Sequence, residues 1–381
     1  MLVSQRIEIF PNTEQKELLA QCFGVRRFVF NKARSLLISK YGNLKDHIKE
    51  IKKKELTDLR NQIRKDYNHF TSLVPSQIAG TAIEDLQRSL DSLWKKGKEV
   101  HFKRKKDENT CRIERKTDTT FNVSNCGKYL KVVKLGNIKL SENIRYPFND
   151  NIKLVTIYTK ANRYFLSLTM EVDRKYISTH KHTGKKIAFD WGIKTFLTGY
   201  DGEGVFEADF DRKKMDLLDK NIRAKAKSLS HRKFRSKNWF KAKTKLEQAY
   251  MNRTNYQEEF IKTLANEISQ HYDEVILEDL NMSFMLKNHK IAKKTSEKMY
   301  YKFKSLCSNI LSRSDKVVNL VDKSFPSTQM CSCCGYTRTG VEKLTLKDRL
   351  YKCQSCGFEL DRDENAAINL FQYKGNLTQF K

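Results

Sequence analysis

The apolar positions change period several times along the chain, and each change marks an element. Residues 2–10, LVSQRIEIF, read as one strand, which Pro11 ends. Asn12 or Thr13 is placed to cap a helix with Glu14 in its first turn. Leu18, Leu19, Cys22, Phe23, Val29, Phe30, Ala33, Leu36 and Leu37 then recur at helical spacing. A second helix, dense in both charge signs, is predicted over residues 45–66. Pro75 restarts the chain, Ser76 is the expected cap, and Ile83, Leu86, Leu90, Leu93 and Trp94 mark the buried face of a third helix. Residues 14–97 thus read as an all-helical module.

Residues 98–110 are a basic run, and beyond them the texture turns to strands. CRIER, YLKVVKLGNIKL and NIKLVTIYTKANRYFLSLTMEV are rich in β-branched and aromatic residues, with a hairpin turn at Ala161-Asn162-Arg163. They predict a small barrel completed by the N-terminal strand, and residues 176–184 read as a linker. From residue 185 the pattern gives three short strands, with turns at Trp191-Gly192 and at residues 201–204. A helical stretch over about 213–270 follows, then the apolar strand of DEVILEDLNM, a helix over about 296–312, a strand at 316–322 and a closing helix from about 363. Three strands, helix, strand, helix, strand, helix is the order of the ribonuclease H-like fold. No internal repeat is visible.

Charge narrows the choice of partner. Lys and Arg number 74 against 45 Asp and Glu, a net +29. Such self-repulsion favours a polyanionic partner, and nucleic acid is the obvious one. No apolar run reaches the ~20 residues of a spanning helix, and the first residues, MLVSQRIEIFPN, lack the design of a signal peptide. Nine Cys, four of them in a metal pattern, fit a reducing interior.

That pattern is Cys331-x-x-Cys334 and Cys353-x-x-Cys356, separated by 18 residues, with a Gly after each pair. Two such turns aim four thiolates at one tetrahedral Zn²⁺, the zinc-ribbon arrangement. Cys333 is left over. Three acids stand where the ribonuclease H-like order would gather them: Asp190 ending the first strand, Glu278 ending the fourth and Asp363 opening the last helix. Phosphodiester hydrolysis by two metals needs carboxylates that hold two Mg²⁺ roughly 4 Å apart. Asp279 and Asp361 are near neighbours that could substitute. Adjacent strand residues face opposite sides, so one of Glu278 and Asp279 points into such a site. Residues 220–245 hold eleven Lys or Arg and no acid, with Phe234, Trp239 and Phe240 interleaved. This predicts a phosphate track, carried by Arg232, Lys233, Arg235 and Lys237. Lys103, Arg104, Lys105 and Lys106 are the matching candidates in the earlier basic run.

These segments together resemble the TnpB (OrfB) family of transposon-associated RNA-guided DNA nucleases, relatives of type V CRISPR effectors. PNTEQKELLAQCFGVRRFVFNKA is similar to its N-terminal helical segment and HFKRKKDENT to its basic strand entry. FDWGIK, SHRKFRSKNWFKAKTKLEQ, ILEDLN, FPSTQMCSCCG and CQSCGFELDRDENAAINL resemble its RuvC and zinc-ribbon motifs. Trp191, where an aliphatic residue is commoner, and the extra Cys333 depart from the pattern without removing a ligand. The resemblance implies an α+β multidomain chain: a wedge β-barrel (1–13 and 98–178) split around a helical recognition module (14–97), then a RuvC-like nuclease domain (179–381) with an inserted zinc ribbon at about 327–360. It implies Asp190, Glu278 and Asp363 as catalytic Mg²⁺ ligands, two ions in all, and Cys331, Cys334, Cys353 and Cys356 as ligands of one structural Zn²⁺. It further implies a guide RNA from the transposon end, target double-stranded DNA, a monomer carrying one RNA, no membrane, and a place in the cytoplasm and nucleoid of a prokaryotic cell. The function expected is Mg²⁺-dependent cleavage of DNA beside a short flanking motif by a single site, and Ser76 and Gln77 are the residues expected to read that motif. A non-cleaving guided DNA-binding protein and a strand-transferring transposase are the alternatives.

Overall fold

The computed structural model describes residues 1–105, 109–115, 117, 120–124, 126–146, 151–177, 179–192, 194–280, 299–345 and 348–380. The chain divides into two compact units, Met1–Tyr176 and Ile177–Lys381.

In the first unit, β1 (Leu2–Phe10) leads to α1 (Thr13–Tyr41). Asn12 caps that helix: its side chain accepts from the Gln15 N–H at 2.8 Å, while the Gln15 side chain accepts from the Asn12 N–H at 3.0 Å. Then come α2 (Lys53–Asp66), α3 (Asn68–Thr71) and α4 (Gln77–Lys96). The second helix starts eight residues later than expected. Gly42 leaves α1 at φ 66°, and Asn43 bonds Lys45 N–H and Asp46 in a local turn that competes with helix. α1 packs on α4 through the predicted stripe, with Leu19, Cys22, Phe30, Leu86 and Leu90 buried. Trp94 departs from the stripe: it is 55% exposed, and Lys49 lies 4.8 Å over its ring. Ser76 makes no cap bond either. Its backbone is already helical (φ −60°, ψ −26°), so its hydroxyl reaches Gln77 instead.

The strands β2 (Thr110–Glu114), β3 (Phe121–Val123), β4 (Tyr129–Val132), β5 (Gly136–Leu140), β6 (Ile152–Lys160) and β7 (Arg163–Glu171) join β1 in one sheet, ordered β2-β6-β7-β1-β5-β4-β3. β1 runs through the middle, antiparallel to both β7 and β5. Among the described residues β2 and β3 remain the two ends of the ladder. The β6–β7 turn places Ala161 and Asn162 at positive φ, as a two-residue hairpin requires. Behind the sheet, Asp85 of α4 accepts from Arg26 and, at 2.7 Å, from Arg112, a buried charge cluster linking α1, α4 and β2.

In the second unit, β8 (Lys186–Trp191), β9 (Leu197–Tyr200) and β10 (Val205–Ala208) form an antiparallel meander. Gly199 faces Phe189 across the β8–β9 pair, and a Cβ there would stand 2.5 Å from the ring. The helical stretch is two helices, α5 (Arg212–Ser230) and α6 (Lys237–His271). Arg235 takes φ 63° between them, and the extended Ser236 caps α6 through the Trp239 N–H at 3.1 Å. The two helices pack as an antiparallel hairpin, with Arg253 bonding Asp219 at 2.6 Å. β11 (Glu274–Glu278), α7 (Tyr300–Leu311) and β12 (Val317–Val321) follow, then β13 (Leu350–Lys352), β14 (Glu359–Asp361), α8 (Arg362–Phe371) and β15 (Thr378–Gln379). Residues 296–298 of the expected α7 lie outside the described residues. The main sheet is ordered β10-β9-β8-β11-β12-β15, with β11 parallel to both β8 and β12. α6 and α7 cover one face through Phe189, Leu277, Ile261 and Phe303; α8 covers the other through Ala188, Ile276 and Leu370. Among the described residues no helix is long and apolar enough to cross a membrane.

Candidate metal centres and nucleic-acid surfaces

Strand alternation gathers the three acids. In the parallel β8–β11 pair, Phe189 is opposite Leu277, so Asp190 and Glu278 follow one step on. Phe189 and Leu277 face α6 and α7, so the next residues face α8. α8 presents Asp363 in its first turn. Asp190 is 4% exposed and Asp363 8%. Burial, reinforced by the charges of Glu278 and Asp363, pushes the Asp190 carboxyl well above its ordinary value. Burial also raises Glu278, against a hydrogen bond donated by the Ser327 hydroxyl. Asp363 accepts from Arg362 at 2.9 and 3.1 Å and from Arg349 at 3.2 Å.

The neighbouring acids are used otherwise. Asp279 faces the opposite side and pairs with Lys304 at 3.4 Å and Lys323 at 3.2 Å. Asp361 caps α8, accepting from the Asp363 N–H at 2.8 Å. Tyr300 reaches across to donate to the Glu278 carbonyl at 2.6 Å, and burial holds its phenol well above the usual range. Hard carboxylate oxygens on one face at the strand ends suit Mg²⁺.

The ribbon is assembled from its turns. Gly335 and Gly357, both at positive φ, follow the two cysteine pairs and donate back to the Cys331 and Cys353 carbonyls at 2.9 and 3.1 Å. This brings Cys331, Cys334, Cys353 and Cys356 together with their sulfurs within 4.8 Å of one another. Among the described residues this is the one group of three or more His, Cys, Asp or Glu packed that closely. Four thiols so placed fit one tetrahedral Zn²⁺. Cys333 is exposed and stands outside the set.

Two buried asparagines tie the ribbon to α8, and the sequence reading missed both. Asn365 accepts from the Ser332 N–H at 2.9 Å and donates to the Met330 carbonyl at 2.7 Å. Asn369 donates to the Ser327 and Met330 carbonyls at 2.8 and 2.6 Å. Their i,i+4 spacing in NAAIN was the available signal: two polar residues on one face of an apolar helix. Ser327 and Arg349 were missed too, because nothing local marks a residue that binds an acid 49 or 14 positions away, and Arg362 was missed although it adjoins Asp363.

The basic candidates divide. Lys103 is turned inward, pairing with Asp85 at 3.5 Å over the Phe30 ring, so its ammonium already has a partner inside the unit. Burial and the nearby Arg26 lower its pKa. Arg104 and Lys105 are exposed, and Lys106 lies outside the described residues. Arg232, Lys233, Arg235 and Lys237 are all exposed at the tip of the α5–α6 hairpin. Ser76 is exposed and Gln77 half-buried at the start of α4. Thr81, one turn on, is buried and bonds the Ile78 and Arg112 carbonyls, so it is no base-reading candidate.

Comparison with known proteins gives matches to three family models. Residues 167–289 match the one described as "Probable transposase", residues 300–370 a Cas12f1-like TNB domain, and residues 1–44, which here form β1 and α1, a helix-turn-helix domain. A Streptomyces pristinaespiralis protein named "Putative RNA-guided DNA endonuclease" is 26% identical over 372 residues, covering 96% of this chain and 87% of the relative. TnpB-like protein L79 of Acanthamoeba polyphaga mimivirus is 25% identical over 239 residues, 58% of this chain and 43% of that protein. A solved Cas12f1 complex with single-guide RNA and target DNA aligns with TM-score 0.55 over 99% of both chains at 13% identity, a likeness of fold.

Proposed function

The chain belongs to the TnpB (OrfB) family, and on that premise we propose that it is an RNA-guided, Mg²⁺-dependent DNA endonuclease with a single RuvC site. The observation that carries the reading is the meeting of Asp190, Glu278 and Asp363 on the α8 face of the sheet, where the first two are raised by burial. Two Mg²⁺ held by these residues would supply an activated water and stabilise the departing oxygen. Asp190 stands buried one residue before the end of β8. Ser327 orients Glu278, and Arg362 and Arg349 orient Asp363. The ribbon with its Zn²⁺ holds α8, and so Asp363, in place through Asn365 and Asn369. A guide RNA would pair with one DNA strand, while the protein reads a short flanking motif and duplex shape. Residues 1–13 and 98–178 would serve as the wedge and 14–97 as the recognition module, with Gln77 and Ser76 toward the flanking bases. Arg104, Lys105 and the exposed hairpin residues would contact phosphate in a monomeric complex within a prokaryotic nucleoid.

The matched model described as "Probable transposase" favours strand transfer as a second reading. Plasmid cleavage by the protein with its copurified RNA separates the readings. Free linear ends that require Mg²⁺ and disappear with EDTA support hydrolysis. Joined strands without free ends indicate transfer, and guided binding without either indicates a non-cleaving protein.

A further inference from the structure

The tip of the α5–α6 hairpin, residues 231–240, sets bare aromatic rings among exposed cations. Phe234 is 66% exposed and Phe240 53%. Trp239 lies between them, its ring centroid 5.1 Å from Phe234 at 79° and 5.2 Å from Phe240 at 86°. Perpendicular packing fixes the three rings while leaving much of the two Phe rings in solvent. Arg235 lies 5.1 Å from the Phe234 ring and Lys243 5.5 Å from Trp239. Arg232, Lys233, Lys237 and Lys241 stand around them, exposed, and no acid occurs between residues 220 and 245.

We propose that this tip is a stacking platform for unpaired bases of single-stranded nucleic acid. A patch meant only for phosphate has no use for exposed Phe, since hydrating those rings is unfavourable. A patch meant for a second copy of the chain would bring one strongly positive tip against another. A duplex satisfies the cations but hides its base faces. A single strand offers base faces and phosphates together, as the interleaved rings and cations do. Arg235 supports this: it occupies the left-handed region at φ 63°, rare without glycine, and that conformation accompanies its placement on the Phe234 ring. The proposal rests on the nuclease reading only in taking nucleic acid as the partner, and it names the state of that partner.

The test uses the full-length protein, a 12-nucleotide strand carrying 2-aminopurine, the blunt duplex of the same sequence, and vesicles of phosphatidylcholine with phosphatidylglycerol. Wild type should quench the 2-aminopurine. F234A/F240A should abolish the quench and weaken single-strand binding about tenfold, with duplex affinity unchanged within about twofold and zinc content retained. F234Y/F240Y should restore both quench and affinity. R232A/K233A/R235A should weaken single strand and duplex alike. The proposal is overturned if F234A/F240A keeps the quench, if it loses single-strand and duplex affinity equally, or if it loses vesicle binding alone. None of these readouts needs a guide or a cut, so a failure of guided cleavage would be seen separately.

Discussion

Asp190 is the residue on which function and stability pull apart. Its carboxyl is buried, and the charges of Glu278 and of Asp363 in the first turn of α8 oppose its ionisation more than Arg362 favours it. Without a metal ion, burial and repulsion both oppose the ionised carboxylate that metal binding requires. Asp190→Asn should therefore abolish cleavage and at the same time raise the melting temperature of the metal-free protein by a few degrees, at about 2–4 °C per kcal/mol for a unit of this size. Mg²⁺ should raise the wild-type melting temperature and leave the variant's unchanged. Calorimetry with and without Mg²⁺ checks this, and a destabilised Asp190→Asn would assign the residue a structural role. Alternation showed that only one of Glu278 and Asp279 could face Asp190. Which one depends on the pairing of β8 with β11, set by contacts nearly 90 residues apart, so no local pattern carries it. Ser327 and Arg349 were illegible for the same reason, whereas each cysteine of the cluster was readable because its pair partner lies three residues away.

The ribbon and α8 act as one piece through Asn365 and Asn369. Cys353→Ser should lose one equivalent of zinc and loosen α8, lowering cleavage, because structural zinc contributes folding free energy directly. Cys333→Ser should keep both. Elemental analysis decides, and zinc lost from Cys333→Ser would mean a different ligand set. A second joint ties β11 and β12 to residues 183–184. Burial raises the Asp273 carboxyl, but bonds from Lys316 at 2.9 Å and from the Gly184 and Thr183 N–H groups outweigh it and hold it at about 2. A depressed carboxylate stabilises above the ordinary aspartate value, and that contribution is lost as pH falls from about 4 toward 2. Asp273→Asn should cost about 1–2 kcal/mol at neutral pH and flatten the acid limb of the stability curve. An unchanged limb in pH-dependent melting would remove this joint from the explanation. Elements with strong periodicity, β1, α1, α4, β8 and β11, were legible nearly to their ends. The α5–α6 break was not, because a run of Lys, Arg and Ser has no apolar period to interrupt, and β3 is too short to show one.

A net charge of +29 spread over 381 residues sets the behaviour of the whole molecule. The compact state repels itself unless a polyanion lies against it, so protein stripped of nucleic acid should aggregate or lose activity at low salt, and cognate RNA should restore it. Light scattering and cleavage before and after stripping measure this; stripped protein that stays monodisperse and fully active would show that RNA is no part of the working complex. Charge favours a polyanionic partner, and the buried acids motivate the proposed phosphodiester chemistry, but neither bears on whether a cut is addressed by RNA. The direct test is to rebuild the complex with two RNAs that differ only in the guide segment and offer both a plasmid carrying two targets with identical flanks. The cut should move from one target to the other with the guide and vanish from both in Asp190→Asn. A cut that stays at one site whichever guide is supplied would contradict RNA-guided cleavage.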